Sequence, residues 1–233
     1  MKIGMMQPYF FPYLGYWQLM NAVDEYIIYD DVNYIKGGWI NRNRIKQNGE
    51  AAWFGISIKK ASQNKCINEL DIALTGNERD VLIKKFSIAY AKAPYVKSVL
   101  ELLDDTLSYN HTNLAGFLAH SNRSVARYLG IETRIYSATE LRLDHTHHAQ
   151  QRIIDICKNR GCQEYINAIG GKELYDKNSF MENGLSLSFL KMDPDIVYSQ
   201  GKGDFIPSLS ILDVLSYNDF DSTRELLTKY SIE

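Results

Sequence analysis

The sequence lacks a long apolar run: none of its 233 residues belongs to an uninterrupted apolar stretch of the roughly 20 residues that a membrane-spanning helix needs. Near the start, Lys2 is not followed by an apolar segment with a small-residue cleavage site. Neither a membrane span nor a secretory signal is therefore predicted. We expect a cytoplasmic protein.

A strong charge of either sign is also missing, because 26 Lys and Arg against 28 Asp and Glu leave a formal net charge of -2. A protein that binds DNA or RNA non-specifically needs a basic surface that neutralises several phosphates. General nucleic-acid binding is therefore disfavoured, whereas a local basic pocket is compatible with this composition.

Cysteine is scarce, and the three thiols Cys66, Cys157 and Cys162 form an odd set. This number fits reduced thiols and not a disulfide framework. The spacing of Cys157 and Cys162 is not a usual zinc spacing. The histidines at positions 145, 147 and 148 have no suitably spaced ligand partner apart from Asp144, so a solvated loop is preferred and no metal is expected.

Several catalytic signatures are missing as well. The chain has no Gly-x-Ser-x-Gly elbow and no cysteine in a known catalytic motif, so a classical triad is not indicated. The glycine pair around Lys202 has neither the Walker spacing nor the dinucleotide-binding fingerprint. The chemistry must be sought in residues outside these motifs.

What the sequence does contain is an unusual opening stretch, residues 1–18. Pro8 and Pro12 remove backbone donors and fix φ, so a first strand must end at about Gln7. The loop that follows is rich in aromatic side chains. Packing considerations alone favour a loop whose aromatic side chains are buried as a hydrophobic plug under the domain. The second interpretation is that this loop forms one wall of a pocket.

A helix over residues 16–23 and a strand over residues 26–32 complete a βαβ-like unit. Asp30 and Asp31 close the second strand. The aromatic loop and these two carboxylates then lie at the carboxyl ends of parallel strands, where open α/β sheets bind ligands.

The rest of the chain alternates between strand and helix patterns. An Asn48-Gly49 turn predicts a hairpin between residues 40–46 and 53–58, and helical spacing dominates residues 79–103 and 114–129. We predict an α/β fold whose mixed sheet begins with the βαβ-like unit. It forms one domain over residues 1–233, with a largely helical subdomain at roughly 79–160.

Three segments are too polar for packing alone: residues 7–16, 30–44 and 200–213. The second offers carboxylates and the side chains of Arg42 and Arg44. The third is a glycine-rich loop that leads into a helix capped by Ser208 or Ser210, with Asp213 in a capping-box-like position. A helix N-terminus beside Lys202, together with the arginines, is suited to a diphosphate.

These segments carry a resemblance to a known family. Residues 7–16, 30–34 and 41–45, then Tyr165, Ile166 and Gly170, and finally Gln200 with residues 205–213 resemble the WbqC-like protein family along essentially the whole chain. The resemblance implies an association with bacterial O-antigen and other surface-polysaccharide clusters. Such clusters make nucleotide-linked amino sugars and decorate their amino groups.

The resemblance therefore implies a transferase that N-acylates or aminoacylates a nucleotide-linked amino sugar, with an acyl or aminoacyl donor as co-substrate. We expect Asp30, Asp31 or His111 to act as the base on the amino group. Arg42, Arg44 and Lys202 would bind the diphosphate. The full set of predicted substrate-binding residues is Gln7, Tyr9, Tyr16, Lys36, Asn41, Arg42, Asn43, Arg44, Gln200, Lys202, Asp204, Ser208, Ser210 and Asp213, with Tyr13 as a further stacking residue.

Two other functions are compatible with the sequence. The strand, loop and Gly15-led helix at the start are similar to nucleotide-binding α/β domains that activate carboxylates with ATP, although the nucleotidylyl-transfer histidine motif is missing. A non-catalytic binding protein of polysaccharide assembly would instead use residues 41–44 as a recognition patch.

Overall fold

The computed structural model describes every residue from Met1 to Glu233. None of its helices combines the length and the apolar character needed to cross a lipid bilayer. Along the chain the elements are β1 (Lys2–Met6), α1 (Leu14–Asn21), β2 (Glu25–Ile28), β3 (Arg42–Gln47), β4 (Glu50–Gly55), β5 (Ile58–Lys59), β6 (Asp71–Ile72), α2 (Gly76–Ala89), α3 (Val96–Ser108), α4 (Leu114–Tyr128), β7 (Arg134–Ser137), α5 (Ala138–Leu141), α6 (Ala149–Asn159), β8 (Glu164–Ala168), α7 (Lys177–Glu182), β9 (Ser186–Met192), α8 (Ile211–Tyr217), α9 (Phe220–Leu226) and β10 (Tyr230–Ile232), with 3₁₀ turns at Ile67–Glu69 and Ile169–Leu174.

The central sheet has six strands in the order β10-β9-β8-β1-β2-β7. All neighbours are parallel except the pair of β10 and β9. The chain therefore starts in the middle of the sheet, builds outward through β2 and β7, and returns to the other side of β1 with β8. The predicted α/β class is confirmed, with a mixed sheet, parallel β1 and β2 joined by α1, and a helical middle.

Both faces of this sheet are covered, as expected for strands that are mostly parallel. Alternate residues of a strand enter different cores: Ile27 of β2 packs in a smaller cluster with α6 and α7, whereas Tyr26 and Ile28 pack in a larger one with α1 and α4. For this reason all four residues of β2 are buried.

The predicted hairpin is present as β3 and β4, paired from Arg42 with Gly55 to Gln47 with Glu50. Asn48 and Gly49 both have positive φ, 54° and 85°, as the tight hairpin turn requires. This hairpin lies outside the central sheet and contributes its own face to the region beyond the carboxyl ends of the strands.

The opening loop is mostly core. Phe10 and Phe11 are completely buried, and Phe10 packs against Phe54 and Phe117 with ring centroids 5.9 and 6.4 Å apart. Helix α1 begins at Leu14, two residues earlier than its predicted start, because Pro12 and the extended Tyr13 already end the loop.

Phe11 has a φ of 43°, a left-handed conformation that is unfavourable for a bulky side chain. Its carbonyl oxygen accepts hydrogen bonds from Asn43 Nδ2 at 2.9 Å and from Ser210 Oγ at 2.8 Å. We call this arrangement the Phe11 clamp. It joins the opening loop, the β3 strand and the start of α8, which are far apart in sequence.

Ser210→Ala should lower the free energy of unfolding by about 2 kcal/mol, because it removes both the helix cap of α8 and one arm of the Phe11 clamp. Urea denaturation measures the loss. Ser208→Ala is the matched control, since Ser208 is exposed and forms no hydrogen bond within the chain. Equal stability of the two variants would contradict a holding role for Ser210.

Candidate functional site

A cavity of about 700 Å³ lies at the carboxyl ends of β1 and β8. Met6 and Gln7 line it from the end of β1, and Asn167 and Ala168 from the end of β8. The order of the strands reverses between β1 and β8, and open α/β sheets bind ligands in the crevice outside such a reversal. Topology alone thus marks this cavity as the candidate site.

Residues from all three polar segments line this cavity. Gln7 and Tyr9 come from the opening loop, Asn43 and Arg44 from β3, and Ser208 from the loop before α8. Of the predicted substrate-binding residues, these five therefore share one cavity. Their roles remain predictions.

The cavity is notable for polar side chains that the protein itself leaves without partners. The side chains of Gln7, Tyr9, Tyr13, Arg44 and Ser208 line it and form no hydrogen bond to another residue. Burial raises the pKa of Tyr9 and of Tyr13 further above neutral pH, where a phenol is protonated in any case and can donate a hydrogen bond. A ligand or water must satisfy these groups.

Arg44 is the only charged side chain among the lining residues. It forms no ion pair, and its Nε is buried without a partner. Its guanidinium carbon lies 5.5 Å from the centre of the Trp39 ring, which holds one face of the group. A cation facing a cavity that contains no carboxylate is suited to an anionic ligand.

Other predicted residues use their polar atoms to hold the fold. Asn43 lines the cavity, but its side chain is bonded within the protein. Its Nδ2 donates to the carbonyls of Phe10 and Phe11, and its Oδ1 accepts from the amide of Arg44. Asn41 accepts from Tyr34 and donates to Ile56. Ser210 caps α8.

Asp213 is buried outside the cavity, where its carboxylate accepts hydrogen bonds from Tyr198, Tyr90 and Gln200 at 2.6 to 2.9 Å. Gln200 also bonds both backbone atoms of Ile206 and so closes the intervening glycine loop. Both residues organise the segment that carries Ser208.

The remaining predicted binding residues do not line the cavity. Tyr16 is completely buried in α1 and packs against Tyr9, and its hydroxyl accepts a hydrogen bond from Asn122. Arg42 donates to the carbonyls of Gly37 and Gly38 and stacks on Trp53. The side chains of Lys36, Lys202 and Asp204 are exposed and also lie outside the cavity lining.

The three predicted bases are placed apart from the cavity as well. Asp30 and His111 line a second cleft of about 380 Å³ beside α4, which shares no lining residue with the cavity. Asp30 accepts two hydrogen bonds of 2.9 Å from Thr139, and burial raises the pKa of its carboxyl. His111 Nδ1 lies 3.1 Å from the amide nitrogen of Asn113.

Asp31 forms a buried ion pair with Arg152, at 2.6 and 3.1 Å, and also contacts His145. The same guanidinium donates to the Tyr29 hydroxyl, and Tyr29 lines the cavity. Asp31 therefore acts on the cavity wall through Arg152, while its own oxygens are occupied.

Sequence reasoning missed much of the cavity wall, most clearly Trp39, Tyr29, Asn167, Leu174 and Tyr175. The signal for Asn167 was available, because it lies between Ile166 and Gly170, which carry part of the family resemblance. No local signal pointed to Trp39 or Leu174, since apolar residues in loops usually pack inward.

The comparison with protein families is decisive for classification: the WbqC-like protein family matches residues 7–225. The chain belongs to the WbqC-like protein family. A relative, "Uncharacterized protein Rv1507c" of Mycobacterium tuberculosis, is 29% identical to this WbqC-like chain over 216 residues, which is 92% of each protein. No solved structure matches the chain.

Asp213 should give this WbqC-like protein a specific pH dependence of stability. Burial raises the pKa of its carboxyl, so between the unfolded value of about 4 and the raised native value the folded state binds more protons than the unfolded state. Stability should therefore fall as pH rises through that window. Urea denaturation at several pH values should show this fall to be smaller in Asp213→Asn than in the parent. An unchanged pH dependence would contradict the assignment.

Proposed function

We propose that this chain is a transferase that N-acylates or aminoacylates the amino group of a nucleotide-linked amino sugar, in the biosynthesis of O-antigen or another surface polysaccharide. Family membership supports this context, because WbqC-like proteins are associated with such gene clusters. The soluble substrate of such a step carries a diphosphate, a sugar with hydroxyl groups and an amine.

The observation that carries the proposal is the unpaired Arg44 in a cavity without carboxylates. A diphosphate supplies the missing anion, and a guanidinium can bind two of its oxygens at once. The free amide of Gln7 and the hydroxyls of Tyr9, Tyr13 and Ser208 are then available for the sugar. The cavity is also of the size of small-molecule sites.

The chemistry requires the sugar amine to attack the carbonyl of the donor. The new C–N bond forms while the bond between the carbonyl carbon and the donor's leaving group breaks, and the nitrogen loses a proton to a base. A protonated phenol such as that of Tyr9 or Tyr13 is suited to donate to the carbonyl oxygen as negative charge develops on it. No Asp, Glu, His, Lys or Cys lines the cavity. The base must therefore be a residue outside the lining or a solvent molecule.

A thermal-shift series tests the substrate class. A nucleotide-linked amino sugar at saturating concentration should raise the melting temperature by about 5 °C or more. Arg44→Ala should weaken binding about tenfold or more, because it removes charge-assisted hydrogen bonds. Arg134→Ala is the matched control, since Arg134 is an exposed arginine at the opposite, amino-terminal end of β7.

An equal shift in the parent and Arg44→Ala would contradict the phosphate site. Stabilisation by ATP alone would move the assignment to carboxylate activation, and stabilisation by none of the nucleotide-sugars, ATP or acyl-CoA compounds would favour a binding protein.

The base is tested separately from binding. Asp30→Asn and His111→Gln alter the two predicted bases in the second cleft. For whichever residue is the base, the turnover rate should fall about 100-fold, while the affinity for the nucleotide-sugar stays at the parent value. Full turnover in both variants would remove Asp30 and His111 from the mechanism and leave solvent or Asp31 as the acceptor of the proton.

A further inference from the structure

The mouth of the cavity is lined by large apolar side chains that the protein leaves exposed. Ile35, Trp39 and Leu174 have 52%, 38% and 73% of their surface accessible. They come from two separate segments, the connection between β2 and β3 and the 3₁₀ turn Ile169–Leu174. We call these three side chains the apolar rim. Exposed apolar surface grouped at a cavity indicates a binding surface.

Trp39 contacts its neighbours through both its backbone and its ring. Its carbonyl oxygen accepts from the amide of Phe10 at 3.2 Å, and its ring lies 5.4 Å from that of Trp53. Arg42 covers Trp53 at 4.0 Å and bonds the turn at Gly37 and Gly38. An indole that already packs against a second ring loses less entropy when a ligand packs against it than a free one does.

The apolar rim and the cation belong to the same binding region, because the Arg44 guanidinium carbon is only 5.5 Å from the centre of the Trp39 ring. One small molecule can therefore contact both. An apolar rim beside an unpaired cation calls for a ligand that joins a planar, weakly polar ring to an anion. A nucleotide has both parts, and bases stack readily on aromatic side chains.

We propose that the apolar rim binds the base of a nucleotide whose phosphates bind Arg44. The inference rests on the proposed nucleotide-sugar function and assigns the rim to the nucleoside, which leaves Gln7, Tyr9, Tyr13 and Ser208 for the sugar. Among the rim side chains, only the indole nitrogen of Trp39 can form hydrogen bonds. The rim therefore stacks on a base with little reading of its edges, and UDP and ADP should bind with affinities within a few-fold of each other.

Calorimetric titration of the full-length chain with UDP, ADP and inorganic pyrophosphate tests this assignment. Trp39→Ala should weaken binding of UDP and ADP about tenfold and weaken pyrophosphate binding much less, since the phosphates bind Arg44 and not the indole. Trp39→Phe, which keeps a ring, should restore most of the loss. Leu174→Ala should weaken nucleotide binding in the same direction. Met181→Ala, at a residue with a similar exposed fraction of 69% outside the cavity, should have no effect.

The outcomes separate the two proposals. Arg44-dependent pyrophosphate binding in the parent, without tighter binding of UDP or ADP, would overturn the base site and leave the phosphate site standing. Parent-like nucleotide binding in Trp39→Ala, or an equal loss for pyrophosphate, would also overturn it. A parent chain that binds neither nucleotides nor pyrophosphate would overturn both. Unfolding midpoints in urea confirm that each exposed-site variant is folded.

Discussion

The carbonyl oxygen of Phe11 is the point on which the candidate site depends. It accepts hydrogen bonds from Asn43 of β3 and from Ser210 at the start of α8, and the amide of Ser210 in turn donates to the carbonyl of Arg44 at 2.8 Å. These bonds keep Phe11 in a left-handed conformation that its side chain disfavours. They also fix Arg44 and Ser208 relative to the opening loop, so three of the segments that line the cavity share one buried acceptor.

Ten of the polar residues of these segments divide into two groups by their hydrogen bonds, whereas Lys36, Lys202 and Asp204 are exposed outside the cavity. Asn41, Asn43, Gln200, Ser210 and Asp213 have their side chains bonded within the protein. Gln7, Tyr9, Tyr13, Arg44 and Ser208 have none and face the cavity. The first group builds the wall, and the second is available to a ligand. Neighbouring residues of one motif thus serve different purposes: the side chain of Asn43 is bonded within the protein, whereas that of Arg44 is free for a ligand.

The cavity and the second cleft raise a mechanistic question at the carboxyl end of β2. Tyr29 lines the cavity, whereas the next residue, Asp30, lines the cleft with His111. Consecutive residues in extended chain point to opposite sides, which separates the phenol wall from the buried carboxyl. Asp31 reaches the cavity only through Arg152 and the Tyr29 hydroxyl. In the proposed transferase this arrangement assigns binding and polarisation to the cavity and the base to a residue outside its lining.

The sequence by itself determined the class of the fold, because prolines, the Asn48-Gly49 turn and the apolar periodicities act locally on the backbone. It also determined the family and the three polar segments, since these are readable as consecutive residues. Only the tertiary structure decided which of their side chains face the cavity. That outcome depends on hydrogen-bond partners far away in sequence. Tyr16 accepts from Asn122, and Asp31 pairs with Arg152. Asp213 accepts from Tyr90 and Tyr198. The exposure of Trp39 and Leu174 could not be predicted from the sequence either, because the solvent accessibility of an apolar loop residue depends on how the whole chain packs.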